Sequence, residues 1–131
     1  MIEYTVKVNE YGSKHWYLNG KLHREDGPAI ENANGTKYWC LNGKYHREDG
    51  PACEYADGSK YWFLNGKLHR EDGPACEYAS GNKEWYLNGK YLSKDEWEKR
   101  IKKTHKIIIG GKEIELSDES YKNLKKAFDN S

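Results

Sequence analysis

Three histidines, each followed by an arginine and two carboxylates, are the residues in this chain that could do chemistry. His23, His46 and His69 each open the sequence His-Arg-Glu-Asp-Gly-Pro-Ala. A histidine beside paired carboxylates could transfer protons or bind a metal ion. The arginines that follow could bind an anion or a phosphate group, and they are Arg24, Arg47 and Arg70.

The same residues recur at a fixed spacing, which decides between these interpretations. The copies start at Trp16, Trp39, Trp62 and Trp85, a period of 23 residues, and the fourth keeps only Trp-Tyr-Leu-Asn-Gly-Lys. Such self-similarity defines an architecture, because each copy forms the same supersecondary unit. An active site needs one asymmetric group of residues, whereas equal groups suit a structural ladder. We therefore predict Arg–carboxylate pairs along the copies, and no catalytic residue.

Distance argues against a metal ion shared by the three histidines. Two strands per copy, at about 4.8 Å each, place equivalent residues about 10 Å apart. A zinc ion lies about 2 Å from its ligands, so equivalent histidines cannot hold one ion. We predict instead that each histidine packs beside its cross-strand tryptophan and bonds to the neighbouring Glu or Asp, with no metal and no cofactor.

Two turn signals in each copy predict β-hairpins. The first is Asn-Gly, at 19–20, 42–43, 65–66 and 88–89, and the second is Asn34-Gly35, Asp57-Gly58 or Ser80-Gly81. Both favour tight two-residue loops, because their central residues tolerate positive φ. Glu-Asp-Gly-Pro, after each His-Arg pair, predicts a kink or strand break. The predicted fold class is mainly β (α+β overall): an antiparallel β-hairpin repeat array with a C-terminal helix and a ββα tail.

Two-residue loops at both turns assign the side chains to two faces. Cys40 then lies opposite Tyr45, and Cys53 lies opposite Trp62, since side chains alternate along a strand. The face that carries the tryptophans and Cys53 is predicted to be the core. The opposite face is predicted to be exposed, and its candidate binding residues are Tyr38, Tyr45, Arg47, Tyr61 and Phe63, together with Arg24 and Arg70. These side chains could stack on bases or sugars, or bind a protein.

Composition argues against several classes of partner. The chain has 22 basic and 21 acidic residues, a net charge of +1, so we expect no binding of double-stranded nucleic acid or of a membrane. No segment approaches about 20 consecutive apolar residues, so we expect a soluble, cytoplasmic protein. The 14% aromatic content predicts a thin core of Trp and Tyr rings. The three cysteines, with no CxxC pair, are predicted to be buried apolar residues.

Three segments are predicted along the chain. Residues 1–92 form the hairpin array, with units near 10–32, 33–55, 56–78 and 79–92. A capping helix spans 93–103, because Ser93 and Glu96 form a capping box. Residues 104–131 form a ββα tail, with a hairpin turn at Gly110-Gly111 and a second helix capped by Ser117. This tail is too small to hold a core alone, so it is the candidate site of homo-oligomer formation.

The copies from Trp16 to Ala29, Trp39 to Ala52 and Trp62 to Ala75 resemble a known family of repeats. With Leu-Asn-Gly-Lys turns and Gly-x-Lys-x-Trp strands, residues 10–92 are similar to MORN-type repeats (membrane occupation and recognition nexus). The narrower resemblance is to the variant with Leu-Asn-Gly-Lys-x-His-Arg-Glu-Asp-Gly-Pro-Ala found in bacteriophage and large-virus proteins. The resemblance implies hairpin ladders that bind proteins or lipid headgroups and are not themselves enzymes. This chain replaces the family's Tyr-x-Gly-x-Trp and lacks a basic stripe, which argues against lipid binding.

The resulting prediction is a non-catalytic repeat protein that binds another protein. The viral resemblance implies a phage-encoded protein that acts in the host cytoplasm, as an inhibitor of a host enzyme or defence complex. An alternative prediction is a protein that sequesters a nucleotide signal or another small ligand between the aromatic rings and the three arginines. A hydrolase that uses a histidine–carboxylate pair is the third hypothesis, and the triplication of these residues argues against it.

Overall fold

A computed structural model of the chain describes residues 2–102 and 104–129. It consists mainly of antiparallel β-hairpins with two α-helices, which agrees with the predicted fold class at that level. The chain forms two compact units, Met1–Lys94 and Asp95–Ser131. Met1, Lys103, Asn130 and Ser131 lie outside the described residues, and so does the predicted end of the first helix at Lys103.

Short strands run through the first unit. They are β1 (Thr5–Val8), β2 (Lys14–Leu18), β3 (Lys21–Leu22), β4 (Ile30–Glu31), β5 (Lys37–Tyr38), β6 (Cys40–Leu41), β7 (Lys44–Tyr45), β8 (Cys53–Glu54), β9 (Lys60–Tyr61), β10 (Phe63–Leu64), β11 (Lys67–Leu68), β12 (Cys76–Glu77), β13 (Lys83–Leu87) and β14 (Lys90–Leu92). A long sheet has the order β1-β2-β4-β5-β8-β9-β12-β13-β14, with β3 paired to β2. The hairpins β6–β7 and β10–β11 are two-stranded. Neighbouring strands are antiparallel, so each 23-residue copy adds two strands to the long sheet.

The Asn-Gly turns form as the sequence predicts. Asn42 has a φ of 52° and Gly43 a φ of 79°, the pair of positive values that a two-residue hairpin loop of this type needs. Cys40 consequently lies opposite Tyr45, as predicted. The other Asn-Gly pairs have the same backbone, with asparagine φ values of 51°, 50° and 50°.

The second turn of each copy differs from the prediction. At Asp57-Gly58, the glycine has a positive φ of 96° but the aspartate does not. The Tyr55 amide donates to the Ser59 carbonyl at 2.9 Å and the Gly58 amide donates to the Tyr55 carbonyl at 3.0 Å, which closes a three-residue loop over 56–58. Loops of this length place one left-handed residue after a type I turn, and a glycine suits that position. The predicted two-residue loop is therefore wrong.

The extra loop residue moves Cys53 and Cys76 to the face opposite the tryptophans, where Cys40 was already predicted to lie. Cys53 pairs with Tyr38 on one side and with Tyr61 on the other, not with Trp62. This tyrosine face comprises Ile30, Tyr38, Cys40, Tyr45, Cys53, Tyr55, Tyr61, Phe63, Cys76 and Tyr78. The prediction that the tryptophans and Cys53 share one face as the core is therefore wrong.

The core of the first unit consists of small residues beneath aromatic rings. The cysteines Cys40, Cys53 and Cys76 are 1%, 0% and 3% exposed, and Ala29, Ala52 and Ala75 are fully buried. Ring centroids are 5.1 Å apart for Tyr55 and Tyr61, and 5.5 Å apart for Tyr38 and Tyr45. Aromatic pairs at such distances contribute about 0.5–1.5 kcal/mol beyond the area that they bury. The predicted burial of the cysteines is confirmed. The predicted core of Trp and Tyr rings is wrong for this unit, because its buried residues include the cysteines and alanines, whereas Trp39 and Tyr38 are half-buried.

The helix α1 and a ββα arrangement follow the first unit. Their bounds are α1 (Lys94–Ile101), β15 (Thr104–Ile109), β16 (Lys112–Ser117) and α2 (Asp118–Asp129). Gly110 and Gly111 have φ values of 59° and 77°, so they form the predicted tight turn. The Ser117 hydroxyl accepts a hydrogen bond from the Ser120 amide at 3.1 Å, which makes Ser117 the N-cap of α2, as predicted.

Apolar side chains of the second unit are exposed. Ile108, Ile109 and Phe128 are 76%, 55% and 71% exposed. Exposed apolar patches are a feature of protein–protein contact sites. The formation of homo-oligomers through this tail stays a prediction.

The buried cysteines lead to a prediction about thiol reactivity. Burial raises the pKa of Cys40 and of Cys76 from 9.0 to about 11, and that of Cys53 to about 12. Because the thiolate is the reactive form, the folded protein should react with an aromatic disulfide reagent at about pH 8 at least ~100-fold more slowly than the unfolded protein. The protein unfolded in guanidinium chloride is the control. A thiol that reacts within seconds in the folded protein would contradict this burial.

Candidate functional site

The face opposite the tyrosine face carries two equivalent grooves. This tryptophan face comprises Trp39, Leu41, His46, Arg47 and Glu54 with their counterparts in the other copies. The first groove has a volume of about 740 Å³ and is lined by residues 24–28, Trp39, Leu41 and residues 46–49. The second groove, of about 680 Å³, is lined by the residues 23 positions further along. A tryptophan and a leucine form the apolar part of each groove, and two His-Arg-Glu-Asp loops form its rims.

An arginine that lies flat on a tryptophan ring holds each loop in place. The Cζ atom of Arg47 is 3.8 Å from the ring centroid of Trp39. Its Nε donates to Asp49 Oδ1 at 3.0 Å, and its Nη1 donates to the Pro51 carbonyl at 3.1 Å and to Glu54 Oε1 at 3.2 Å. A cation over an indole ring contributes about 0.5–2 kcal/mol. The predicted ladder of Arg–carboxylate pairs is confirmed, since the same ring contact occurs for Arg24 on Trp16 at 3.9 Å and Arg70 on Trp62 at 3.7 Å.

The glycine of each Glu-Asp-Gly-Pro segment leaves room for this guanidinium group. A Cβ atom added at Gly50 would lie 2.9 Å from Arg47 Cζ. The corresponding distances at Gly27 and Gly73 are 3.0 and 2.8 Å. None of these three glycines has a positive φ, so the segment needs glycine for the close approach of a side chain. The sequence predicted a kink here and missed this packing.

These contacts place the arginines on a different face from the tyrosines. The side chains of Arg24, Arg47 and Arg70 are 19%, 22% and 19% exposed, and carboxylates within the protein compensate their charge. The predicted binding face, which combined these arginines with Tyr38, Tyr45, Tyr61 and Phe63, is therefore wrong in its composition. The three tyrosines and Phe63 do lie together, on the tyrosine face.

The histidines join each copy to the next. Nδ1 of His23, His46 and His69 accepts a hydrogen bond from the backbone N–H of Asn42, Asn65 and Asn88, each at 2.9 Å. These asparagines belong to the next Asn-Gly turn, so the bond fixes each hairpin to its predecessor. Nε2 is then the nitrogen that carries the proton of the neutral ring, and it lies 3.4, 3.6 and 3.5 Å from Glu25, Glu48 and Glu71. The contact with a neighbouring carboxylate was predicted, whereas the bond to asparagine was missed, although its 19-residue spacing recurs in each copy.

Charges of opposite sign lie at opposite edges of the tryptophan face. Glu48 and Asp49, at the rim of the grooves, are 85% and 86% exposed. Beyond the leucines, the exposed lysines of the Asn-Gly-Lys turns form a row, so the predicted lack of a basic stripe is wrong; the row consists of Lys21, Lys44, Lys67 and Lys90. Lys44 pairs with Leu41 across its hairpin and therefore points to the same face. Carboxylates thus follow one edge and lysines the other, with the apolar side chains between them.

The tyrosine face is closed by contacts among its own side chains. Tyr55 links Tyr38 and Tyr61, with ring centroids 5.7 and 5.1 Å away. The Tyr78 hydroxyl donates to Glu84 Oε1 at 2.7 Å, and this hydrogen bond is the main cause of the raised pKa of Tyr78. Burial is the main cause of the raised pKa of Tyr61. The sequence did not identify Tyr55 and Tyr78 as members of this face, because the predicted loop was one residue too short.

A smaller polar cluster lies in the second unit, at a histidine with no predicted role. His105 Nε2 is 2.7 Å from Asp118 Oδ1, and the imidazole ring stacks on Tyr121 with centroids 3.9 Å apart. Lys122 Nζ lies 3.0 Å from Asp118 Oδ2. The hydrogen bond with His105, followed by that with Lys122, lowers the pKa of the Asp118 carboxyl. These contacts attach α2 to the β15–β16 hairpin.

Three further findings concern metal binding, membrane crossing and similarity to known proteins. Within residues 2–102 and 104–129, no group of three or more His, Cys, Asp or Glu side chains is arranged to hold a metal ion. No helix in the described part of the chain combines the length and the apolar character needed to cross a membrane. Comparison with protein-family models, curated proteins and solved structures found no match.

The packing of Trp39, Arg47 and Gly50 leads to a testable prediction. Gly50→Ala should lower the free energy of unfolding by about 1–3 kcal/mol, because the added methyl group displaces the guanidinium from the ring and its carboxylates. In an Arg47→Ala background, the same glycine substitution should cost less than about 0.5 kcal/mol, since the steric conflict is gone. Urea unfolding of the wild type, both single variants and the double variant measures this coupling. Equal costs in both backgrounds would contradict the proposed contact.

Proposed function

We propose that the protein is a non-catalytic binding protein in which the 23-residue copies form a repeat array, and that one face of this array docks on another protein. The observation that carries this proposal is the equivalence of the two grooves on the tryptophan face. Each groove has the same tryptophan, leucine, arginines and carboxylates in the same places. Equivalent sites in a row suit an extended partner, whereas an enzyme site needs one asymmetric set of residues.

The reactive side chains of the first unit support a non-catalytic role, because their groups are engaged in its structure. The three cysteines are buried and have raised pKa values. Each histidine Nδ1 accepts a backbone hydrogen bond from the next turn. The arginines are packed on tryptophan rings and bonded to carboxylates. These groups hold the copies together, which favours binding over catalysis.

The tryptophan face is the better candidate for the docking surface. The aromatic rings of the tyrosine face are packed on one another. Tyr45 is the most exposed of its candidate binding residues, and only 38% of its surface is accessible. The carboxylates Asp26, Asp49 and Asp72, at the rims of the grooves, are 80%, 86% and 86% exposed. Open grooves with apolar side chains and charged rims are typical of protein-recognition surfaces.

The viral resemblance suggests a more specific form of this proposal. The Leu-Asn-Gly-Lys-x-His-Arg-Glu-Asp-Gly-Pro-Ala copies are similar to repeats of bacteriophage and large-virus proteins. We accordingly propose a phage-encoded protein that binds, and thereby inhibits, a host enzyme or defence complex in the host cytoplasm. The first experiment uses a lysate of a bacterial host for this reason.

Capture from the lysate tests the docking surface. The immobilised wild-type protein should retain a specific partner, and Glu48→Lys/Glu71→Lys should lose it, because this double substitution reverses charge at both grooves. Tyr45→Ala, on the opposite face, is the matched control and should retain the partner as the wild type does. Loss with Tyr45→Ala alone would assign docking to the tyrosine face. Retention of no protein at all would contradict the proposal, provided that thermal unfolding shows each variant to be folded.

The sequestering of a nucleotide signal is the second candidate function, because the grooves contain arginine and tryptophan side chains. Carboxylates at the rims and the internal ion pairs of the arginines disfavour a phosphate group there. We therefore expect no increase in the midpoint of thermal unfolding with a panel of mononucleotides, dinucleotides and cyclic nucleotides. A nucleotide present at 100 times its Kd would stabilise the protein by about 2.7 kcal/mol, which is easily detected. Such a shift would favour sequestration over protein docking.

A further inference from the structure

We propose that the two grooves bind an extended basic segment of the partner protein, in the polyproline II conformation, with an arginine or lysine at every third position. This inference rests on the proposed function and adds the chemistry and the shape of the partner to it. Three properties of the tryptophan face carry the inference: the charge of the groove rims, their apolar lining and the spacing of the grooves.

The rims carry an excess of negative charge. Arg47 forms ion pairs with Asp49 and Glu54, and Glu54 also lies opposite Lys37 and Lys60 on the neighbouring strands, so the charges of these two carboxylates are compensated. Glu48 is a third carboxylate at the same loop, and its side chain is 85% exposed. The loops that follow His23 and His69 have the same arrangement, with Glu25 and Glu71 in the place of Glu48. A cationic side chain is therefore the complementary occupant of each rim.

The apolar lining selects a long cationic side chain. Trp39 and Leu41 are half-buried and line the first groove beside its carboxylates. Lysine and arginine cover such surface with their methylene groups while the charged end reaches a carboxylate. Lys44 lies on the same face beyond Leu41 and repels a cation, so the charged end is directed to the rim.

The spacing of the grooves selects the conformation of the segment. Equivalent residues of successive copies lie two strand spacings apart, about 9.6 Å. A polyproline II helix has three residues per turn and rises 3.1 Å per residue, so residues i and i+3 lie on one side, about 9.3 Å apart. A β-strand presents residues i and i+3 on opposite faces. In an α-helix, residues i and i+7 are about 10.5 Å apart, so a helical partner is the alternative that the experiment must distinguish.

Labelled peptides and the full-length protein test this inference. The probe is a fluorescein-labelled peptide of four Arg-Pro-Pro units, and fluorescence anisotropy at low ionic strength gives its Kd. One control has the same composition with its arginines consecutive, and another is a helical peptide with arginine at positions i and i+7. We expect the Arg-Pro-Pro peptide to bind at least about tenfold more tightly than either control. Equal binding by the consecutive-arginine peptide, or tighter binding by the helical one, would overturn the inference.

Variants of the groove rims give a second measurement. Glu48→Gln/Glu71→Gln removes Glu48 from the rim that the two grooves share and Glu71 from the far rim of the second groove, without adding bulk. It should weaken peptide binding by about three- to tenfold, as expected for two exposed ion pairs. Glu10→Gln, which removes an exposed carboxylate outside the grooves, is the matched control and should leave the Kd unchanged. An unchanged Kd for the double variant, or an equal loss for the control, would show attraction by overall charge and overturn the inference.

The two proposals fail in different ways. If the lysate partner binds the wild type and is lost on charge reversal, but no Arg-Pro-Pro peptide binds, the docking proposal stands and this inference fails. If the lysate yields no partner and the peptide binds no better than its controls, both fail. Peptide binding that depends on spacing and on the rim carboxylates supports the inference directly.

Discussion

An arginine held between a tryptophan ring and a glycine is the contact on which the first unit depends. The guanidinium of Arg47 packs on Trp39 and bonds to Asp49, Pro51 and Glu54. One side chain thereby connects the tryptophan between β5 and β6, the loop that follows the histidine and strand β8, which follows the proline. Leu and Val are scarce in this unit, so such polar anchors replace much of the packing that a thicker core would provide.

A backbone hydrogen bond extends this local order from one copy to the next. The Asn-Gly turns hold their asparagines in a left-handed conformation, and at Asn42, Asn65 and Asn88 the histidine of the preceding copy accepts the N–H of the asparagine. A histidine outside the turn thus fixes the turn. This bond couples the conformation of the Asn-Gly hairpin to the position of the copy that precedes it. Anchoring by arginine therefore acts within a copy, and the histidine bond connects that copy to the next one along the chain.

The sequence was sufficient for the Asn-Gly turns, but not for the second turn of each copy or for the assignment of the faces. Asn42-Gly43 has two residues that favour positive φ, so its loop length and the pairing of Cys40 with Tyr45 follow directly. Asp57-Gly58 fits both a two-residue loop and the last two positions of a three-residue loop, and a difference of one residue exchanges the two faces of a strand. The core was therefore assigned to the wrong face. The role of Gly50 was also missed, because the recurrence of this glycine in each copy does not show which side chain approaches it.

The two faces differ in how many of their polar and charged side chains are bonded within the protein. This difference is the reason for assigning the proposed docking surface to the tryptophan face. On the tyrosine face, hydroxyl groups and rings find partners within the protein, as Tyr78 does with Glu84. On the tryptophan face, the arginines are also satisfied, but the loops hold more carboxylates than the arginines pair with. Glu48 remains exposed beside an apolar groove. Such a rim retains its capacity to attract a cation, because the contact of Glu48 with His46 Nε2, at 3.6 Å, leaves the carboxylate exposed. Glu25 and Glu71 lie in the same position beside His23 and His69. A surface that presents an exposed carboxylate beside each groove at equal spacing is suited to a partner whose cationic side chains have the same spacing.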